Sequence, residues 1–356
     1  MNSELSENRL LYKTSVERFV GGFDNVARRA QRSQAEGFSR ARWRTMAELG
    51  LFHLAAAESD GGMCGDALDC GTVAEALGYG LAAEPWLECG FWPVRLLGGH
   101  PSLPQILAGE KVCAMAVSEP GRDGDLGPRA TVAERVDGDY RLSGKKTFVL
   151  GGAAADVFIV SALCSDGPGF FVVSRQAQNV SVQPYRIIDG SNAAVLSLSD
   201  VVISERDRIS SGATRFDDAV VAAMLMACAE MVGLTQRLFD ETLSYVKARE
   251  QFGQALGRFQ VIQHRMVDNY VALEKARSTL GWALHEDWQA AAATIAGAKA
   301  YIAELARSVA YDAVQLHGAM GVTDELLVGH GLKRIVLLDK FLVDSPRGFA
   351  RFQGES

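Results

Sequence analysis

"REQFGQALGRFQ", Arg249 to Gln260, decides how the rest of the chain is read. On one side the apolar period is helical over 215–249; on the other it is helical over 258–286 and 288–318, then through "ELLVGHGLKRIVLLDKFLV". Helices this long, joined by few residues, fold back on one another as an antiparallel bundle. The alanine-rich run from Gln289 to Gly318 permits close helix approach and reads as bundle core, with a subunit seam as the alternative. At the corner itself Arg249 offers a planar set of donors, Phe252 a stacking face and Gly253 room for close backbone approach, which together suit an adenine nucleotide. The plainer reading is an Arg neutralising a helix C-terminus and a Gly capping it. "QLHGAMG" at 315–321 is a second glycine corner with the same two readings: Gln315 and the Gly318 backbone donating to pyrophosphate oxygens, or a C-cap.

Outward from the bundle the pattern changes twice. Up to about residue 110 it is helical: Ser39 precedes "RARWRTMAELG", with Trp43, Met46 and Ala47 on one face and Gly50 as a left-handed cap. "DALDCGTVAEALG" repeats the scheme, with Leu68, Val73 and Leu77 inward and Gly78 closing, and "ESDGGMCGD" is a glycine-rich turn between the two. From about 111 to 205 the period is two: "TVAERV", "YRLSGKKTFV", "DVFIVSAL", "GFFVVS", "VSVQPYR" and "AVLSLSDVVI" read as strands, with "DGD" at 137–139 as a hairpin corner. The expectation is an α+β chain of three domains: an N-terminal helical domain over 1–110, a central antiparallel β-barrel or sandwich over 111–208, and a C-terminal four-helix bundle over 209–356.

Composition excludes several function classes. A formal net charge of -7 argues against nucleic acid, since phosphate neutralisation calls for clustered Lys and Arg. The six cysteines are scattered without a Cys-x-x-Cys pair and the histidines lack ligand spacing, so reduced thiols in a cytoplasm are expected, with no metal and no disulfide framework. "MNSELSENRLLYKTSVERF" is charged throughout and lacks the apolar core of a secretory signal. "AVVAAMLMACA" at 219–229 is too short to cross a membrane and reads as a helix buried on all sides. No Gly-x-Ser-x-Gly elbow is present for Ser-His-Asp catalysis.

The order helical domain, β domain, bundle, with "REQFG" after the first bundle helix and "QLHGAMG" after the third, resembles the acyl-CoA dehydrogenase family over nearly the full chain. "AVSEPGRDGD" at 116–125 resembles that family's Thr-Glu-Pro-x-x-Gly-Ser-Asp flavin loop, and "LSGKKTFVLGG" at 142–152 its Asn-Gly-x-Lys-x-Trp-Ile-Thr-Asn strand. "GRFQVIQHRMVDNYVALEKARS" and "VGHGLKRIVLLDKFLVDSP" carry a closer likeness to the small subunits of heteromeric members, such as pimeloyl-CoA dehydrogenase and the steroid-degradation enzymes. The resemblance implies FAD as cofactor, an acyl-CoA substrate, electron-transfer flavoprotein or a similar acceptor, and α,β-desaturation in which a carboxylate takes the α-proton and flavin the β-hydride. It further implies that Arg249, Gln251, Phe252, Gly253, Phe259, Gln260, Gln315, His317, Gly318 and Ala319 form the part of the site that reaches a neighbouring subunit's FAD.

The pattern breaks where the chemistry sits. By ungapped counting, the family's C-terminal Glu falls on Leu342, and the Glu of the isovaleryl-CoA dehydrogenase arrangement falls on Ala223. Asp339, Asp344, Asp217 and Asp218 flank these positions out of register and read as solvated charges or helix-end residues, with Asp344 left open as a base. In the flavin loop and strand, Gly124 replaces Ser, Phe148 replaces Trp and Leu150 replaces Thr, while Ser118 stands for Thr. No catalytic residue is therefore assigned. The expectation is a helper subunit of an α2β2 heterotetramer with a larger acyl-CoA dehydrogenase subunit, inactive alone. The alternatives are a structural subunit that binds no nucleotide and a self-sufficient homomeric dehydrogenase or oxidase.

Overall fold

A computed structural model describes residues 7–22, 24–121, 126–210, 212–286 and 291–354, with the backbone only at 213 and 214. In chain order the helices α1 (Glu7–Gly21), α2 (Asn25–Ser33), α3 (Arg40–Glu48), α4 (Ala67–Tyr79), α5 (Trp92–Leu96) and α6 (Leu103–Leu107) precede the strands. These are β1 (Cys113–Ala116), β2 (Val132–Val136), β3 (Asp139–Leu150), β4 (Val157–Cys164), β5 (Gly167–Ser174), β6 (Val180–Arg186) and β7 (Asn192–Ile203). The long helix α7 (Gly212–Ala248) follows, then a small hairpin of β8 (Glu250–Gln251) and β9 (Gln254–Ala255). Helices α8 (Gln260–Ala283), α9 (Ala292–His317), α10 (Leu327–Lys340) and α11 (Ser345–Phe352) complete the chain. Two compact units result: Met1–Arg29, Ala67–Ala82 and Met224–Ser356 form one, Ala30–Asp66 and Ala83–Ala223 the other.

In the unit that carries the sheet, α3 forms for the expected reasons. The Ser39 hydroxyl accepts from the Arg42 N–H, and Trp43, Met46 and Ala47 are buried. Gly50 adopts φ +76°, letting Leu51 N–H reach the Met46 carbonyl and Gly50 N–H the Ala47 carbonyl, a Schellman ending. The six expected strands are all present, and the Asp137-Gly138 corner has both residues at positive φ, as a two-residue hairpin turn requires. The sheet order is β1-β4-β2-β3-β7-β6, with β5 on the other side of β4. Its pairings are antiparallel except those that join β1 and β2 to β4, which are parallel. Strand β1, "CAMA", is buried at all four positions and shows no alternation, so it escapes a period-two reading.

In the bundle unit, α9 packs against α8, α10 and α11, and its alanines line the core. The expectation that Gly78 caps α4 is corrected. Leu81, at φ +46°, is the left-handed cap, with Leu81 N–H on the Gly78 carbonyl and Ala82 N–H on the Leu77 carbonyl. Gly78 lies inside the helix because α7 passes there: a Cβ on Gly78 would stand 2.2 Å from the Glu230 carbonyl oxygen, and one on Gly233 1.9 Å from that of Glu75. The two glycines bring α4 and α7 together backbone to backbone. Within α7 the whole run 219–229 is buried, although by length and composition that helix is apolar enough to cross a membrane.

Candidate functional site: a nucleotide corner and a flavin strand

The corner is built at one end of the bundle unit. Val246 on α7, Met266 on α8 and Leu316 on α9 share a buried cluster, against which Tyr245, Leu256 and Ile262 pack. Across it, the His317 ring stacks on Tyr245 with centroids 4.2 Å apart, so "REQFG" and "QLHGAMG" are brought together by side-chain contact. His317 is turned inward and buried; its Nδ1 lies 2.8 Å from the Ala313 carbonyl oxygen, which can only accept, so the proton sits on Nδ1.

Around that anchor the polar groups point outward. Arg249, Gln251, Gln260, Gln315, Gly318 and Ala319 are exposed, and Phe259 is half-buried. Arg249 is held by its backbone, its N–H on the Tyr245 carbonyl and its own carbonyl accepting from Leu256, while among the described residues its guanidinium makes no ion pair. Gln251 Nε2 donates to the Glu250 carbonyl at 2.8 Å. Phe252 and Gly253 form the two-residue turn between β8 and β9, at φ +53° and +82°. A left-handed Phe costs about 1–2 kcal/mol, and Asn or Asp is the usual residue there. Phe252 is nonetheless 93% exposed, edge-on to Phe259 at 6.3 Å. Neither packing nor turn chemistry explains that residue. Gly253 and Gly318 leave open space where a Cβ would stand. Arg258, exposed on the short turn Leu256–Arg258, and Tyr245 lie at the same corner and are not among the residues singled out from the sequence; Tyr245 stands before the glycine motif, inside the helical pattern.

The flavin strand belongs to the other unit. Positions 122–125 of "AVSEPGRDGD", Gly124 among them, lie outside the described residues. What precedes them is firmly held: Glu119 is buried and accepts from Ala130 N–H (2.8 Å), Thr131 N–H (3.0 Å) and Lys146 Nζ (2.9 Å). Burial alone would raise its pKa, but these donors outweigh it and hold the carboxyl down at about 2. Lys146, fully buried, also donates to the Ser161 hydroxyl and the Val117 carbonyl. Beyond Lys146 the strand bulges. Phe148 adopts φ +52° and stays partly exposed, while Leu150 is buried. Ser118 is half-buried and its carbonyl accepts from Thr147 N–H.

The two base positions carry no acid. Ala223 is fully buried within α7, and Leu342 is buried at φ +64°. The segment around Leu342 is clamped by Lys299, whose Nζ donates to the carbonyls of Asp339 (3.0 Å) and Val343 (2.7 Å); burial lowers this lysine to about 8. Asp339 is buried rather than solvated, accepting from Arg307 and from the Ser345 hydroxyl and N–H. Asp344 caps α11, accepting from Arg347 N–H at 3.2 Å. Although burial would raise its pKa, that bond and Lys340 hold it below the ordinary carboxylate range, the wrong direction for a base. Asp217 is exposed and Asp218 half-buried.

Sequence models of the acyl-CoA dehydrogenase N-terminal, middle and C-terminal domains match residues 6–94, 114–201 and 211–339. The chain belongs to the acyl-CoA dehydrogenase family. FAD is this family's cofactor, and oxidation is its chemistry. An L-prolyl-[peptidyl-carrier protein] dehydrogenase of Serratia sp. is 31% identical over 320 residues, 82% of each chain. The structure of PigA with FAD and proline superposes with a TM-score of 0.88 at 26% identity, covering 100% of both chains. The ChsE4-ChsE5 complex of Mycobacterium tuberculosis shares the fold, with a TM-score of 0.87 at 24% identity, covering 100% of this chain and 98% of that one. The corner presents exposed donors and a bare aromatic ring, whereas in the other unit Leu150 carries no hydroxyl.

Proposed function

We propose that this chain is a subunit of a heteromeric FAD-dependent acyl-CoA dehydrogenase, holding the adenine and pyrophosphate end of an FAD whose ring lies in a larger partner subunit. The observation that carries the reading is the pairing of an exposed, strained Phe252 beside Arg249, which makes no ion pair among the described residues, with buried, apolar Leu342 and Ala223 at the two base positions. In this reading Arg249 binds phosphate or ribose oxygens, Phe252 stacks on the base, and Gln315 with the Gly318 and Ala319 backbone donates to the pyrophosphate. Phe259, Gln260 and Gln251 shape the corner, and His317 braces it from below through Tyr245. FAD, when bound, supplies the hydride acceptor. The partner supplies the carboxylate that takes the α-proton of a bulky, steroid-derived or dicarboxylic acyl-CoA, and electrons leave to electron-transfer flavoprotein or a similar acceptor. The closer likeness of "GRFQVIQHRMVDNYVALEKARS" to small subunits supports the α2β2 arrangement.

A second reading, a self-sufficient dehydrogenase of a carrier-bound acyl group, is favoured by the full-length match to PigA and the 31% identity to the prolyl-carrier dehydrogenase. Co-purifying the assembly with Arg249→Ala separates the proposal from a subunit that binds no nucleotide, and the flavin content of this chain purified alone separates it from the self-sufficient reading. The proposal requires FAD to be lost from the complex while its subunits stay together; a complex that keeps its FAD and its turnover overturns it.

A further inference from the structure

The segment that follows the second glycine corner is tied down by two side chains, one of them 300 residues away in sequence. It runs through the short turn Gly318–Val322 to Thr323, whose N–H and hydroxyl both donate to the Met320 carbonyl, and then to α10. The first turn of α10 meets it backbone to backbone, since a Cβ on Gly329 would stand 3.0 Å from the Gly321 carbonyl oxygen. Beside that contact His330 is buried, and its Nε2 lies 3.0 Å from the Asp324 carbonyl oxygen, which can only accept, so the proton sits on Nε2. Asn25, at the start of α2, donates its Nδ2 to the same Asp324 carbonyl (3.2 Å) and to that of Glu325 (2.7 Å). Two side chains thus hold one stretch of backbone, and that stretch continues the corner.

The His330 ring lies where a positive charge is disfavoured. Burial acts most strongly against the charged form. Arg28, buried on α2 with its Nε on the Leu81 carbonyl at 3.1 Å, and Lys333 on α10 both repel such a charge. Asp324 attracts it, yet the Asp324 carboxylate already meets Lys333 at 3.4 Å, and Arg334 on the same helix is bonded to Glu230 of α7. The balance holds His330 below its ordinary 6.5. The unfolded ring takes a proton at 6.5 while the folded one resists it, so the hold is complete above pH 6.5 and weakens as pH falls below it. We propose that His330 is a positioning residue for the nucleotide corner. As a neutral ring it pins the segment that carries Gly318 and Ala319; as an imidazolium it leaves the Asp324 carbonyl for water, and the segment opens. Retention of the FAD tail thereby becomes acid-sensitive through a residue outside the corner itself. The consequence for FAD rests on the proposed function, whereas the opening of the segment does not.

The test uses the purified native assembly and reads two quantities one pH unit either side of 6.5. One is hydrogen-exchange protection at the Gly318 and Thr323 amides, which are bonded to the Gln315 and Met320 carbonyls; the other is FAD affinity. A ring that is neutral when held and charged when released shifts the opening equilibrium by about tenfold per pH unit below its unfolded pKa. Protection at the two amides should therefore fall by about tenfold across this interval, and FAD affinity with it. His330→Gln keeps a neutral donor for the Asp324 carbonyl and should abolish the pH dependence of both quantities. Asn25→Ala removes the second tether without adding a titrating group, and should lower protection equally at both pH values. Protection that is the same at both pH values in the parent protein overturns the proposal, as does a fall in His330→Gln equal to that of the parent. A fall shared evenly by the amides of α7, α8 and α9 also overturns it, since that marks general unfolding in acid. If the two amides open in acid, His330→Gln prevents it and FAD stays bound throughout, the latch stands and the nucleotide reading of the corner fails.

Discussion

The corner at 249–260 and the strand at 139–150 descend from two motifs of one family and have kept opposite things. In the strand the buried part persists: Glu119 and Lys146 lock the loop to the sheet through four donors to one carboxylate. The residues that would face a flavin ring are replaced, by Phe148 and Leu150. In the corner the exposed part persists, with Phe252 strained and bare and Arg249 without an ion pair among the described residues, on a base of Tyr245 and His317. Folding alone preserves buried groups, because removing one leaves its partner desolvated and unmet. It has no use for an exposed ring in a left-handed turn. On the proposed function, the difference separates groups that hold the fold together from groups that hold a ligand.

That separation predicts a double dissociation. Glu119→Ala should be the most damaging change: it leaves Lys146 buried without its carboxylate, a loss of about 3–5 kcal/mol in urea unfolding, whether or not FAD is present. The same carboxylate sets an acid limit. Its folded pKa of about 2 lies below the ordinary 4.5, so its contribution is complete above pH 4.5 and disappears as pH falls towards 2. A midpoint of unfolding that Glu119→Gln makes insensitive to pH over that window would confirm the assignment. Arg249→Ala should do the reverse, weakening FAD retention by about 10- to 100-fold, the worth of a charge-assisted hydrogen bond, with the melting temperature of the cofactor-free protein unmoved. If Arg249→Ala instead lowers stability as Glu119→Ala does, the contrast between the regions fails.

Two smaller effects sharpen it. Gly233→Ala forces α7 off the Glu75 carbonyl and should cost about 1–3 kcal/mol by overpacking, a purely structural change to set beside the corner variants. Phe252→Asn suits the left-handed turn better, so the cofactor-free chain should gain up to about 1 kcal/mol while FAD binding weakens. A residue whose loss stabilises the protein and impairs binding has been kept for the ligand.

Much of this was legible in the sequence. Helix starts such as Ser39, the Asp137-Gly138 turn and the six strands rich in β-forming residues rest on local chemistry, and the corners announced themselves by glycine between long helices. What stayed hidden depends on partners far along the chain. Gly78 reads as a cap until Glu230, some 150 residues away, is found against it. The buried strand "CAMA" has no alternation to show, and its parallel pairing with β4 joins residues 44 apart. Lys146, Lys299 and Asp339 look like solvated charges in a sequence, because nothing local reveals that the carbonyls and carboxylates they satisfy are buried with them. The strain at Phe252 was equally unreadable, since "QFG" does not by itself fix a sign of φ.

The most direct test of the central claim is the flavin content of this chain purified alone and again with its larger partner. The account predicts a colourless, inactive single chain and one FAD for each pair of unlike subunits in the complex. A yellow single chain carrying one FAD per copy and reducing it with an acyl thioester would contradict it.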